Sequence, residues 1–105
     1  MIVKRVNMFR VVVFRDKEGK LLRVFATRKK MWAKKVIENA WYDEAATITL
    51  SEYMSIKEAL QIRNDLLAKE IPKFSYKEFS VFGEHRRDNL ELLQELALGA
   101  HEEVS

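Results

Sequence analysis

The sequence predicts one small α+β domain: a three-stranded antiparallel sheet flanked by helices, with an extra helix at the C-terminal end. Three observations carry this. The chain has 105 residues, 48% hydrophobic and 33% charged, with three Gly and one Pro. That is enough for one packed core, with too few punctuating residues for a linker. A run rich in Val and Phe and a second, mainly apolar run flank an Asp-x-x-Gly segment near the N-terminus. Further on, a Ser-x-x-Glu sequence opens an apolar stripe at helical spacing.

The elements follow in order. Met8 to Phe14, centred on Val11-Val12-Val13-Phe14, reads as a strand. Asp16-Lys17-Glu18-Gly19 suits a type I turn, with Asp first and Gly fourth. Leu21 to Ala26 is then the second arm of a hairpin. Thr27 is placed to cap a helix from Arg28 to Asn39, with Arg28, Lys29, Lys30, Lys34 and Lys35 on its polar side. Met31, Ala33, Val36 and Ile37 are expected to face inward. Ala45 to Tyr53 alternates, with Ala46, Ile48 and Leu50 on one face and Thr47 and Thr49 on the other, the pattern of a half-buried strand.

Ser55-Ile56-Lys57-Glu58 matches a capping box and starts a helix to about Glu70, where Pro72 bars continuation. Its expected stripe is Ile56, Ala59, Leu60, Ile62, Leu66 and Leu67. Phe74, Phe79, Val81 and Phe82 form an aromatic-rich segment, strand or loop. Asp88 can cap a last helix to about Ala100, lined by Leu90, Leu93 and Ala97 with Leu92, Leu96 and Ala100 beside them. Residues 1–83 are thus expected to form the domain. Residues 84–105 add an amphipathic helix that docks on it or makes a two-fold dimer. The expected core includes Val12, Val24, Ile48, Leu60 and Leu67.

Composition narrows the function classes. No cysteine is present, so there is no disulfide framework and no thiolate metal site. His85 and His101 are too few and too far apart for a histidine site. No uncharged run near the N-terminus is longer than the four residues of Val11 to Phe14, so neither a signal peptide nor a membrane span is expected. A cytoplasmic protein is the resulting expectation. The net charge of +3 conceals an asymmetry. Residues 1–41 carry 12 Lys/Arg against 3 Asp/Glu, whereas residues 42–105 carry 7 against 13. A basic half is an electrostatic footprint for a phosphate backbone or an acidic protein surface, unless the two halves neutralise each other in the fold.

Four segments appear in order: Leu21 to Thr27 after the Asp-x-x-Gly turn, then Trp41-Tyr42-Asp43-Glu44-Ala45-Ala46-Thr47-Ile48-Thr49-Leu50, Glu58-Ala59-Leu60, and Ile71-Pro72-Lys73-Phe74-Ser75. Together they resemble the GIY-YIG nuclease superfamily, especially its small stand-alone members, over roughly Val11 to Ser75. The resemblance implies the same β-β-α-β-α order. In that family a Tyr on each of the first two strands works with a divalent ion to activate water. A first-helix Arg steadies the phosphate, a Glu on the later helix binds the metal, and an Asn follows the Pro. Aligned here, the two Tyr positions hold Val12 and Arg23, the family Gly falls at Phe25, the Glu position holds Arg63, and the Asn position holds Ser75. Lys34 or Lys35 stands nearest the Arg position.

These substitutions remove the family's chemistry. A hard divalent cation needs oxygen ligands anchored by a carboxylate, and an arginine there repels it. The expectation is a catalytically degenerate, metal-free scaffold that binds nucleic acid, DNA above all, without cutting it. Arg23 and Arg63 are expected in the old groove, bordered by Arg28, Lys29, Lys30, Lys34 and Lys35. Trp32, among these cations, is the better base-stacking candidate. Trp41 and Phe74 read as core. Tyr42 and Phe79 are further aromatics, and His85-Arg86-Arg87 reads as a phosphate contact or a polar lead-in to the last helix. Glu38, Asp43, Glu44 and Glu58 have no spacing that suggests a metal cluster. The alternatives are a protein-interaction or inhibitor module for an acidic partner surface, and a residual metal-dependent nuclease.

Overall fold

A computed structural model describes residues 7–29, 31–40 and 44–103. The elements are β1 (Phe9–Arg15), β2 (Leu21–Arg28), α1 (Trp32–Ala40), β3 (Thr47–Ser51), α2 (Ile56–Leu67) and β4 (Tyr76–Ser80), then a 3-10 turn (Gly83–His85) leading into α3 (Arg86–Glu103). The strands form one antiparallel sheet in the order β2-β1-β3-β4. Instead of three strands there are four. The fourth is short, and of its residues only Phe79 is half-buried. Its sequence therefore carries almost no inward apolar pattern.

β1 explains the architecture. Val11, Val12, Val13 and Phe14 are all buried, the signature of a strand covered on both faces. Val12 and Phe14 join Trp32, Val36, Ile48, Leu90 and Leu93 in one core beneath α1 and α3. Val11 and Val13 join Val24, Ala59, Ile62 and Leu66 in a second core beneath α2. The sheet is thus sandwiched, with α1 and α3 side by side on one face and α2 on the other. α3 docks on its own domain through Leu90 and Leu93.

The hairpin turn closes as its residues require. The Gly19 amide donates to the Asp16 carbonyl at 3.0 Å, and the Asp16 carboxylate accepts from the amides of Glu18 and Lys20 at 3.0 and 2.8 Å. Gly19 sits at φ 85°, in the left-handed region, and a Cβ added there would meet no atom within 4 Å. Gly19→Ala should therefore cost about 1–2 kcal/mol through backbone strain alone. Urea midpoints with an unchanged slope are the check; no loss would mean the turn relaxes freely.

The ends of several elements differ from the sequence expectation. Thr27 does not cap α1: it pairs with Arg10 and stays buried in β2, and the helix starts only at Trp32. Met31 and Ile37 are exposed, because α1 turns Trp32 and Val36 inward instead. The strand expected from Ala45 to Tyr53 is regular over Thr47–Ser51, with further backbone bonds from the amides of Ala46 and Glu52, and both its faces are covered. Thr49 is 2% exposed, with its hydroxyl lacking a partner among the described residues.

The Ser55 box forms as read, with the Ser55 hydroxyl accepting from the Glu58 amide at 3.1 Å. α2 ends at Leu67, before Glu70, where Lys69 adopts φ 63° and the Glu70 amide bonds back to the Asp65 carbonyl. Ile56, Leu60 and Leu67 are exposed, at 43%, 40% and 53%. α2 rides over only β1 and β2, a surface wide enough for the Ala59–Ile62–Leu66 stripe and no more. Leu60 and Leu67 are therefore not core. α3 begins two residues before Asp88, its start pinned by the Arg86 guanidinium donating to the Val81 carbonyl at 3.0 Å. Leu92 and Leu96 remain exposed.

Candidate nucleic-acid interface

Charge segregates across the sheet. β2 is one edge strand, and α1 lies over the β2–β1 half of its face. Arg23 pairs with Phe14 in register, which places it on the α1 face of β2, and it is exposed. Arg28 is exposed at the end of the same strand but pairs with Phe9 of the α2-side core and so lies on the other face, and Lys34 is exposed on α1. The Lys35 ammonium stands 5.2 Å from the centre of the Phe25 ring, which shares its face of β2 with Arg23, so Arg23 and Lys35 come to one side. Lys34 pairs with Glu38 at 3.8 Å on the outer surface of α1, a weak exposed contact. The opposite edge is acidic: residues 76–103, which make β4 and α3, carry seven Asp/Glu against three Lys/Arg.

Arg63 does not join this surface. It sits on α2, which packs against the other face of the sheet, and is partly buried there. The shared groove expected for Arg23 and Arg63 is not formed, because the sheet stands between the elements that carry them. Val12, at the first aligned Tyr position, is completely buried under α1 and α3 and reaches no solvent. Lys30, Trp41, Tyr42 and Asp43 lie outside the described residues.

Trp32 is not a free stacking platform. It is 1% exposed, and its indole N–H donates to the Tyr53 hydroxyl at 2.9 Å. Its ring is occupied by a residue that sequence spacing did not single out, Arg10. The Arg10 guanidinium lies 4.7 Å from the Trp32 ring centre and 4.2 Å from that of Tyr53. Its Nε donates to the Ser51 carbonyl at 2.7 Å. The Lys29 ammonium also approaches the Tyr53 ring, 5.1 Å from its centre. Cations held against aromatic faces in this way are favourable and fixed in direction. The signal was present: Arg10 alternates with Val12 and Phe14, so a strand there sets a cation on the inward face.

Beside this stack opens a cavity of about 470 Å³ between α3 and the β3–β4 end of the sheet. Arg10, Trp32 and Tyr53 form one wall, Lys77 and Phe79 another, and Glu95 and Leu96 a third. Ser75, at the aligned Asn position, also lines it. Phe74 packs on the opposite, α2 side of the sheet and lies 5.1 Å from Tyr76, ring centre to ring centre. His85 approaches Glu84 at 3.8 Å on the surface, and Arg86 serves the start of α3, so this segment acts as a helix lead-in. Among the described residues no group of three or more His, Asp or Glu could hold a metal ion, and no helix is long and apolar enough to cross a membrane. Comparison with known families, with curated proteins and with solved structures finds no match.

Proposed function

We propose that this chain binds nucleic acid through the basic β2–α1 side of a GIY-YIG-like scaffold and does not cut it. The observation that supports the reading is the segregation of charge in space. The basic half of the sequence supplies β1, the edge strand β2 and α1, and the acidic residues of β4 and α3 collect toward the far edge. A phosphate backbone responds to such a one-sided field, and each phosphate contact releases counterions. The element order β-β-α-β-α matches the order that the resemblance implies. The loss of chemistry rests on Val12, which offers no hydroxyl and no access, and on Arg63, which sets a cation where the alignment requires a carboxylate.

Two measurements test this. Duplex DNA should bind at low salt with an affinity that falls linearly on a log–log plot against salt concentration. Absence of any DNA or RNA binding at low ionic strength would overturn the proposal and favour a protein partner. The protein should also leave DNA and RNA intact with Mg²⁺ or Mn²⁺ present. Cutting that disappears with EDTA would show that a metal site has been retained elsewhere.

A protein partner has one observation of its own. Ile56, Leu60 and Leu67 recur on one exposed flank of α2 with Arg63 among them, the combination of apolar residues and arginine common at protein interfaces.

A further inference from the structure

The cavity beside Arg10 lies on a line of cations that crosses the whole sheet. Lys29 follows β2, Arg10 is on β1, Tyr53 follows β3 and Lys77 is on β4. Register keeps them at one end of the sheet: the Lys29 amide bonds to the Met8 carbonyl, Arg10 pairs with Thr27, and Lys77 pairs with Leu50, itself opposite Val12. The same register puts Arg10 and Lys77 on the α1–α3 face, and Lys29 reaches that cluster through Tyr53. Three interstrand steps make the line about 14 Å long. It starts at the basic β2 edge and ends inside the cavity.

The cavity's lining mixes apolar and charged groups. Its walls combine Phe79 and Leu96 with the cations Arg10 and Lys77, and Glu95 faces them from α3. Its volume falls in the range of small-molecule sites. A planar base laid against Phe79 and Leu96 would turn its phosphate toward Lys77 and Arg10, and the Glu95 carboxylate could accept from a base N–H. A duplex cannot present a base in this way without unstacking it. The Arg10–Trp32–Tyr53 stack is already fixed by its hydrogen bonds, so little freedom remains to be lost on binding.

We infer that this cavity seats one unpaired nucleotide of a single strand whose backbone runs along Lys29, Arg10 and Lys77. The inference rests on the proposed nucleic-acid reading and deepens it: the β2–α1 edge gives general affinity, and the cavity gives preference for single strands. The test uses Lys77→Glu, which reverses an exposed charge, and Leu96→Trp, which fills the cavity from its rim. Affinities for an oligodeoxycytidylate of about ten nucleotides and for a duplex are measured at one fixed salt concentration, with unchanged melting curves as the check on folding. Both variants should weaken single-strand binding about tenfold and change duplex binding far less. Unchanged single-strand affinity in folded variants, or equal losses for strand and duplex, overturns the cavity assignment while leaving the edge reading in place. Wild-type protein that binds neither probe overturns both.

Discussion

Trp32→Ala should destabilise the protein by about 3–5 kcal/mol, the usual cost of emptying a large aromatic site. The indole is 1% exposed and belongs to the core with Phe14, Val36, Ile48 and Leu93. Alanine would leave a void that the four-stranded sheet cannot collapse into, because β1 is pinned on both edges. It would also take the hydrogen-bond donor from Tyr53 and one aromatic face from Arg10. Trp32→Phe separates these effects. It keeps much of the ring and loses the N–H, so about 1–2 kcal/mol is expected. Leu60→Ala is the contrast: with the side chain 40% exposed on the α2 flank, it should cost under about 1 kcal/mol. Urea unfolding measures all three. A Trp32→Ala loss no larger than that of Leu60→Ala would mean that the indole does not anchor α1.

Charge reversal at Arg23 and Lys35 together should weaken duplex DNA binding at least about tenfold, or 1.4 kcal/mol, and flatten the salt slope. Both residues belong to the β2–α1 side, where Arg23 shares a face with Phe14 and Lys35 meets Phe25. Arg63→Glu makes the same change in formal charge per site on the other face of the sheet. It should leave affinity within about twofold, since α2 carries it on the face of the sheet away from Arg23 and Lys35. The comparison needs one fixed ionic strength. If Arg63→Glu weakens binding as much as the double reversal, net charge governs the affinity and no particular surface does.

Much of the fold was legible because local rules and packing agree there. The Asp16–Gly19 turn, the Ser55–Glu58 capping box and the Val11–Phe14 run each combine a chemical signature with the burial that enforces it. The misreadings arise where tertiary context chooses. Thr27 is a good cap residue, yet the ladder to Arg10 holds it in β2. Leu60 and Leu67 have helical spacing, yet α2 covers only two strands, so one of its two apolar flanks stays wet. β4 has five residues and one half-buried side chain, too little pattern to distinguish a strand from a loop. The candidate site was harder still. Only the GIY-YIG alignment groups Arg23 with Arg63, and it is silent on Arg10; which face of the sheet each cation occupies is decided by register and packing.

The central position of β1 has a consequence during synthesis. Its first edge can zip with β2 as soon as the hairpin leaves the ribosome, since only the Asp16–Gly19 turn separates them. Its second edge must wait for β3, which begins at Thr47 on the far side of α1. Until then the nascent chain carries an open row of backbone donors and acceptors beside Val11 to Phe14, its most apolar run. Such an edge is a template for pairing with another chain. The many Lys and Arg residues of this first segment supply charge repulsion between neighbouring nascent chains over that interval, and a fragment ending after α1 should remain unassociated at low salt and aggregate as salt is raised.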